Sequence, residues 1–226
     1  MDINASSYKT NDQFPPRTNT NLLRVYSNQI CPYAERALLV LAAKDIEHEI
    51  INVSLTDRPG WLFDLNPLGK VPIIEFGADN KVLYESLIVC QYLDEAYPET
   101  RALQPRDPYQ RGTDRQIIDA LCADISALRH KYLPVDDLAA VWPEIANRFK
   151  KVDTLLANKR VDNRYLSGDA LPGLIDYCVW PFIERIPTMV DLAGHNAAHY
   201  LVKELPTVHD YSQQMLADPT VQKVSL

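Results

Sequence analysis

The sequence predicts an α/β domain followed by an all-helical domain. Short apolar, β-branched stretches alternate with helical patterns as far as Pro98, and strand patterns nearly vanish after the linker that follows. A chain of 226 residues is long enough for two modest domains that each bury a core. We assign residues 1–98 to the first domain, 99–106 to the linker and 107–226 to the helical domain. Residues 1–20 are polar and are expected to form an irregular arm.

The first domain is predicted to have the element order β-α-β-α-β-β-α. Its first helix follows from small and apolar residues at i, i+3, i+4 and i+7 from Ala34 onward. Its last two strands are predicted to form a hairpin, because residues 77–80 supply turn chemistry between them. The other elements are strands at Leu22–Ser27 and Glu47–Val53, a short helix at Arg58–Asn66, the hairpin strands Val71–Phe76 and Lys81–Tyr84, and a helix that ends before Pro98.

The second domain contains three apolar stripes at helical spacing. Asp107 followed by Pro108 is a favourable pair for the N-cap and first position of the first of these helices. Pro181 lies inside the third stripe and is expected to bend that helix, because it removes the hydrogen bond to the Tyr177 carbonyl. The stripes consist of Ile117, Leu121, Ile125 and Leu128; of Trp142, Ile145, Phe149, Val152 and Leu156; and of Ile175, Cys178, Val179, Phe182 and Ile186.

Composition and charge exclude several classes of function. A net charge of −7 argues against a nucleic-acid binder, which needs a basic face. The polar stretch Met1–Thr20 predicts no signal peptide, and apolar stretches such as Leu38–Ala43 are too short for a stable membrane span. The four cysteines lack paired spacing, so we expect a cytoplasmic protein without a disulfide framework. No metal site is expected, because Asn196 replaces the glutamate that the zinc-protease spacing of His195 and His199 would require.

Cys31 is the candidate nucleophile. It falls between a predicted strand and a predicted helix, and Pro32 suits the first helical position. The N–H groups and the dipole at a helix start stabilise a thiolate, whereas an isolated cysteine is more often a buried, inert residue. The segment from Cys31 to Ala34 looks like a redox Cys-x-x-Cys motif without its second cysteine, so an external thiol must release a mixed disulfide. Arg36 lies in the next turn, with its side chain expected to reach solvent.

Two other dipeptides are candidates for binding a ligand. Val71-Pro72 precedes a strand, where an ordinary trans bond is the common geometry. Ser86 fits an N-cap. Alternatively, the same helix terminus binds a carboxylate through its N–H groups, and Glu85 then holds an ammonium group of the same ligand.

Together these residues resemble the omega-class glutathione transferases. The resemblance runs from about Leu22 to the C-terminal region and is densest before Pro98. It is specific, since most other transferase classes place Tyr or Ser where this chain has Cys31. The stretches that carry it are Cys31-Pro-Tyr-Ala-Glu-Arg36, Asn66-Pro-Leu-Gly-Lys-Val-Pro72, Tyr84-Glu-Ser86, Tyr92-Leu-Asp-Glu-Ala-Tyr-Pro98, and Ile175-Asp-Tyr-Cys-Val-Trp-Pro181 through Glu184-Arg185.

The resemblance implies a thioredoxin-like N-terminal domain and an all-α C-terminal domain, which together form the glutathione transferase fold, in a homodimer. It implies glutathione as co-substrate, with thioltransferase and dehydroascorbate reductase activity through a mixed disulfide on Cys31. The second substrate would be a small electrophile, a disulfide or a glutathionylated protein.

The resemblance also implies roles for individual residues. Arg58 stands where the family commonly has lysine and would bind the glycine carboxylate of glutathione. The Val71-Pro72 bond would be cis, turning the Val71 backbone toward glutathione. The glutathione contacts would be Arg58, Val71, Pro72, Glu85 and Ser86; an electrophile pocket between the domains would include Tyr33 and Trp180, although Trp180 is equally compatible with an interior position.

The chain departs from the family pattern in the helical domain. Gly173 stands where relatives tend to have a capping Ser or Thr, so we expect a weaker cap and an Asp176 that has lost its usual partner. The chain ends at Leu226, where many relatives continue into a further helix, which favours a more open electrophile pocket.

Two alternatives to an enzyme stay open. Intracellular chloride-channel proteins share the fold and a similar Cys-Pro motif, and their membrane-inserting segment would correspond to Leu22–Ala43. Arg24, Glu35 and Arg36 oppose such insertion by roughly 2–3 kcal/mol each. The other alternative is a regulatory protein with a decayed site, which the retained candidate residues disfavour.

Overall fold

In the computed structural model, residues 7–17, 19, 21–77, 81–132, 138–162 and 164–224 are described. Predicted turn residues 78–80 and the side chain of Leu128 fall outside the described part. The elements are β1 (Leu23–Ser27), α1 (Pro32–Ala43), β2 (His48–Asn52), α2 (Leu62–Leu65), β3 (Ile73–Phe76), β4 (Lys81–Tyr84), α3 (Ser86–Ala96), α4 (Pro108–Tyr132), α5 (Leu138–Lys159), α6 (Leu174–Ile183), α7 (Ile186–Leu192), α8 (Ala197–Glu204), α9 (Pro206–Leu216) and α10 (Pro219–Val224).

The chain divides into two compact units. The sheet unit comprises Met1–Ala102 with Pro219–Leu226, and the helical unit comprises Leu103–Asp218. The sequence predicts that residues 107–226 form the helical domain, whereas this division places the last helix, α10, in the sheet unit. The physical reason is that α10 packs against α1. The predicted fold class, an α/β part followed by a helical part, is confirmed.

The sheet unit has a four-stranded mixed sheet with the strand order β2-β1-β3-β4. Strand β1 runs parallel to β2 and antiparallel to β3, with Val25 opposite both Ile50 and Ile74. Strands β3 and β4 form the predicted antiparallel hairpin. All five residues of β1 are buried, as expected of an inner strand covered on both faces. Helices α1 and α3, which carry candidate site residues, pack against each other.

Two buried polar side chains fasten the inner strand to its surroundings. The Arg24 guanidinium donates to Glu49 Oε2 at 2.9 Å and to the backbone oxygens of Pro15 and Pro16 at 2.9 and 2.8 Å. The Tyr26 hydroxyl donates to Glu75 Oε2 at 2.6 Å. Burial, with this hydrogen bond, raises the pKa of Tyr26. Arg24 therefore ties part of the N-terminal arm to the sheet, a role that the sequence of the arm does not predict.

The helical unit confirms one local prediction and corrects another. Helix α4 begins at Pro108, and both carboxylate oxygens of Asp107 accept backbone N–H groups of its first turn at 3.1 and 3.3 Å. The third apolar stripe was predicted as one helix, but it is two, because α6 ends at Ile183 and Ile186 begins α7. Pro181 lacks the N–H needed to continue the regular hydrogen bonds, and the helix ends two residues after it.

Candidate functional site

Cys31 occupies the N-cap position of α1, as predicted. Its backbone is extended, with φ −87° and ψ 111°, and Pro32 is the first helical residue. The Cys31 N–H donates to Asn28 O at 3.0 Å, and its carbonyl accepts the Glu35 N–H at 3.1 Å. The side chain is 7% exposed. The thiol therefore lies at the positive end of the helix, where a thiolate is stabilised.

The loop before β3 approaches the same thiol. The Val71–Pro72 peptide bond is cis, as the resemblance implied. Cys31 Sγ lies 4.0 Å from the Val71 carbonyl oxygen. An extended peptide that paired with the Val71 backbone would therefore lie close to Cys31 Sγ.

The beginning of α3 differs from the predicted cap by one residue. Glu85, not Ser86, is the N-cap, and Ser86 is the first helical residue. The expectation that Ser86 caps the helix is therefore wrong. Glu85 has φ 71° and ψ 110°, a conformation that costs a non-glycine residue on the order of 1–3 kcal/mol and that is common at functional sites. The Glu85 side chain is exposed and makes no capping hydrogen bond, so the fold does not seal this helix terminus with it.

Arg36 connects the two helix beginnings. Its side chain was expected to reach solvent, but the residue is 3% exposed, so that expectation is wrong. Arg36 Nη1 donates to Ser86 Oγ at 3.0 Å, and its guanidinium carbon lies 5.3 Å from the centre of the Tyr33 ring. One buried cation thus fixes the Ser86 hydroxyl and contacts the ring of Tyr33. Sequence reasoning missed this role, because Arg36 and Ser86 are 50 positions apart.

Arg58 lies in the loop between β2 and α2. The predicted helix over Arg58–Asn66 is shorter than expected, because only Leu62–Leu65 is helical. The Arg58 side chain is exposed, and its Nε donates to Leu55 O at 3.0 Å. It is a positive charge on an exposed loop, which suits a ligand carboxylate.

Tyr33 and Trp180 belong to different units. Tyr33 is partly buried and packs against the core cluster that contains Cys31 and Val71. Trp180 is 1% exposed in α6, and its ring lies 6.5 Å from that of Tyr211. This burial favours the interior interpretation of Trp180. Among the described residues, however, its indole N–H is a buried donor with no hydrogen-bond partner.

At the beginning of α6, Asp176, which was expected to have lost its usual partner, has four other hydrogen-bond partners. Asp176 is fully buried and accepts the N–H groups of Leu166, Ser167 and Gly173 at 2.7, 3.1 and 2.9 Å. It also accepts the Tyr211 hydroxyl at 3.1 Å. Burial raises the pKa of Asp176, and these four donors oppose that rise. The carboxylate therefore accepts the N-cap N–H of α6 and at the same time holds the loop at Leu166 and Ser167.

Gly173 is required here by sterics. A Cβ at this position would lie 2.7 Å from Ser167 Cβ and 3.0 Å from the Leu103 carbonyl oxygen. Its φ of −96° is accessible to every residue, so the restriction is space and not backbone conformation. A capping Ser or Thr would collide with Ser167, whose N–H donates to Asp176, and with the Leu103 carbonyl.

The charged residues of Leu22–Ala43, the segment that the membrane-inserting alternative would move into a bilayer, are buried in the sheet unit. Arg24, Glu35 and Arg36 are at most 8% exposed, and the hydrogen bonds of both arginines described above would break if this segment left the sheet unit. Within the described residues, no helix is both long and apolar enough to cross a bilayer.

Comparison with known proteins identifies the relatives of this chain. Residues 30–96 match the family model for the N-terminal domain of glutathione S-transferases. The chain is 33% identical to glutathione S-transferase omega-1 of Sus scrofa, with 91% of this chain and 81% of the relative covered. It is 33% identical to glutathione S-transferase omega-2 of Homo sapiens, with coverage of 92% and 82%. A third relative, pyrimidodiazepine synthase of Drosophila melanogaster, is 34% identical with coverage of 92% and 82%.

Solved structures share the fold. Glutathione transferase Omega 3C from Trametes versicolor superposes with a TM-score of 0.75 at 24% identity, covering 90% of this chain and 84% of that one. A rice transferase solved in complex with glutathione has a TM-score of 0.74 at 20% identity, with 91% of each chain covered. At these identities the likeness establishes architecture alone.

Proposed function

This chain belongs to the omega class of glutathione transferases, with glutathione as its co-substrate, and on that premise we propose that it is a thiol transferase and dehydroascorbate reductase that works through Cys31. The observation that supports this proposal best is the position of Cys31 at the N-cap of α1, with Sγ 4.0 Å from the Val71 carbonyl. A thiol at a helix N-terminus is stabilised as the nucleophilic thiolate. No second cysteine follows in the motif, so glutathione must resolve the intermediate.

The proposed exchange has two steps. In the first, the Cys31 thiolate attacks the glutathionyl sulfur of a mixed disulfide, an S–S bond forms, and the other thiolate leaves and takes up a proton. In the second, the thiolate of another glutathione attacks the Cys31 mixed disulfide, which forms glutathione disulfide and restores the Cys31 thiolate. The start of α1 serves both steps, because it stabilises Cys31 as nucleophile and as leaving group.

Dehydroascorbate follows the same route after one addition. A glutathione thiol adds to a carbonyl carbon of dehydroascorbate and forms a thiohemiketal. The Cys31 thiolate attacks the sulfur of this adduct, the carbon–sulfur bond breaks, and ascorbate leaves with the electron pair. The second glutathione then resolves Cys31 as before. Dehydroascorbate is reduced to ascorbate, and two glutathiones are oxidised to one disulfide.

Glutathione is proposed to lie across the sheet unit as an extended peptide. Its cysteinyl part pairs with the backbone of Val71 beside Pro72, close to Cys31 Sγ. Its γ-glutamyl carboxylate binds the N–H groups and the Ser86 hydroxyl at the start of α3, and Glu85 holds the ammonium group. The Arg36 contact supports this arrangement, because Ser86 Oγ accepts from Arg36 and so keeps its own O–H for the ligand. Arg58 binds the glycine carboxylate.

The second substrate is proposed to reach the Cys31 thiol on the side of Tyr33, which packs against the core cluster that contains Cys31. Small disulfides, dehydroascorbate and glutathionylated proteins all present a sulfur or carbonyl that this chemistry uses. A relative at 34% identity carries the name pyrimidodiazepine synthase, so a pyrimidodiazepine-forming reaction is the second candidate for the same thiol. We further propose a cytoplasmic homodimer, in keeping with the family.

A glutathione-coupled reductase assay with hydroxyethyl disulfide and with dehydroascorbate tests the proposal. Wild type is expected to turn over both substrates, and Cys31→Ala and Cys31→Ser are expected to fall to the background of uncatalysed exchange. Cys122→Ala is the matched control, since Cys122 is a buried cysteine of α4 and its loss should leave turnover intact. Full activity in Cys31→Ala, or a wild type that binds glutathione but reduces neither substrate, would show the proposal to be wrong.

A further inference from the structure

The N-terminal arm, residues 7–17, runs beside the loop that carries Arg58. We define the Arg58 loop as residues 53–61, between β2 and α2. The Tyr8 N–H donates to Asn52 O at 2.8 Å, and the Ser54 N–H donates to Tyr8 O at 2.8 Å. Tyr8 and Val53 thus form a parallel bridge at the end of the edge strand β2. At the start of the Arg58 loop, the arm therefore pairs with the chain as a short additional strand at the edge of the sheet.

Further along, the arm holds the backbone of Arg58 itself. Thr10 Oγ1 donates to the Arg58 carbonyl at 2.9 Å, and the Thr10 N–H donates to Asp57 O at 3.2 Å. On the far side of Arg58, Trp61 Nε1 donates to Asp12 O at 3.1 Å. The arm therefore holds the loop on both sides of the Arg58 side chain.

The arm is held in place by hydrogen bonds within itself and by aromatic contacts. The Lys9 N–H donates to Asp12 Oδ2 at 2.7 Å, and the Asp12 N–H donates to Lys9 O at 3.0 Å, which closes a tight turn around Thr10. The Trp61 ring packs edge-on against Tyr8 and Phe14, with centroids 5.9 and 5.3 Å apart. The turn and the aromatic contacts fix the donor and acceptor atoms before any ligand arrives.

We propose that Thr10 and Trp61 are positioning residues for glutathione, which hold the Arg58 backbone so that its guanidinium meets the glycine carboxylate. The inference rests on the proposed role of Arg58. A forked guanidinium binds a carboxylate well only in a narrow range of orientations, so an exposed loop needs such support. The glycine carboxylate is remote from the reacting sulfur, so the effect falls on glutathione binding and KM, not on kcat.

A double-mutant cycle with Thr10 and Arg58 tests the inference. Thr10→Val removes the hydroxyl donor at nearly constant shape, and Thr10→Ser retains it. The readouts are Kd for S-methylglutathione by calorimetry, which needs no turnover, and KM and kcat in the reductase assay. We expect Thr10→Val to raise Kd and KM about 2- to 5-fold with kcat unchanged, and Thr10→Ser to match wild type. In the Arg58→Ala background, Thr10→Val should have no further effect.

The outcomes separate this inference from the proposed function. If Arg58→Ala weakens binding and Thr10→Val does not, the positioning role is wrong and the proposed site stands. If Thr10→Val weakens binding equally with and without Arg58, the arm acts on general stability, and the inference is overturned. If Arg58→Ala leaves Kd unchanged, the proposed glycine-carboxylate contact fails and the inference fails with it. Trp61→Phe keeps an aromatic ring but loses the N–H donor. It must raise Kd and KM as Thr10→Val does, with kcat unchanged.

Discussion

The N-termini of α3 and α6 differ in whether the fold supplies hydrogen-bond acceptors for their backbone N–H groups. Every helix start leaves backbone N–H groups that need acceptors. At α6, the N-cap N–H of Gly173 donates to the buried carboxylate of Asp176, and the Leu174 N–H donates to Leu103 O, so the fold itself supplies acceptors at this terminus. At α3, the Glu85 side chain is exposed, makes no capping hydrogen bond and sits on a residue with φ 71°. A terminus sealed by its own side chain supports stability, whereas one without such a seal suits a ligand.

Removing the carboxylate at α6 has the largest expected effect on stability. Asp176→Ala leaves three backbone donors without an acceptor, so we expect the free energy of unfolding to fall by about 3–5 kcal/mol. Urea denaturation at neutral pH measures this loss. Asp169→Ala, which removes an exposed carboxylate nearby in the chain, is the control and should change little. A loss below about 1 kcal/mol for Asp176→Ala would contradict the self-sealed terminus.

The corresponding change at α3 should weaken binding and not stability. Glu85→Gln removes the charged partner proposed for the glutathione ammonium, so calorimetry with S-methylglutathione should show Kd raised about 10- to 100-fold. The free energy of unfolding should stay within about 0.5 kcal/mol, since the side chain is exposed. Glu95→Gln, an exposed carboxylate in the same helix, is the control. Unchanged affinity in Glu85→Gln would remove the reason for treating this terminus as a ligand site.

A side chain at Gly173 should destabilise α6 by collision. Gly173→Ala places a Cβ 2.7 Å from Ser167 Cβ and 3.0 Å from Leu103 O, and we expect a loss of about 1–3 kcal/mol in urea denaturation. Gly112→Ala is the matched control, because the added Cβ would meet no other part of the described chain within 4 Å beyond its chain neighbours and the backbone of its own helix α4. Gly112→Ala should raise the free energy of unfolding by about 0.5–1 kcal/mol, because alanine has the higher helix propensity. Equal effects at the two glycines would show that space around Gly173 is not limiting.

The smallest expected effect is a difference in how the stabilities of wild type and of Asp176→Asn depend on pH. Burial raises the pKa of Asp176 above its ordinary value of 3.8, so the folded state binds this proton more tightly than the unfolded state. The contribution to stability is therefore gained as pH falls through the raised pKa and is lost as pH rises through it. Wild type should gain stability relative to Asp176→Asn between neutral pH and about pH 4. If wild type instead lost stability relative to Asp176→Asn as the pH fell through this range, the pKa of Asp176 would not be raised in the folded state.

Local sequence patterns predicted the parts of the fold that short-range chemistry determines. The hairpin strand Lys81–Tyr84, the Asp107 cap and the N-cap position of Cys31 each follow from a few neighbouring residues. The cap of α3 was misplaced by one residue, because propensity favours Ser86 and gives no sign that Glu85 adopts a positive φ.

The remaining features depend on contacts between distant parts of the chain. The buried Arg36 donates its hydrogen bond to Ser86, which is 50 positions away in the sequence. Gly173 is confined by Leu103, and Asp176 by a loop that only the folded helical unit brings to it. The arm was given no role, because its hydrogen bonds to the Arg58 loop use mainly backbone atoms, which leave no pattern in the sequence. These long-range contacts are the part of the fold and of the site that sequence patterns do not encode.

The central claim is that the Cys31 thiolate carries the glutathionyl group. Intact-protein mass spectrometry with peptide mapping, after incubation with glutathione disulfide, tests it most directly. We predict one glutathionyl group on wild type, located at Cys31, absent from Cys31→Ser and removed by added glutathione. Modification confined to Cys90, Cys122 or Cys178, or an active protein that never carries the group on Cys31, would contradict the account.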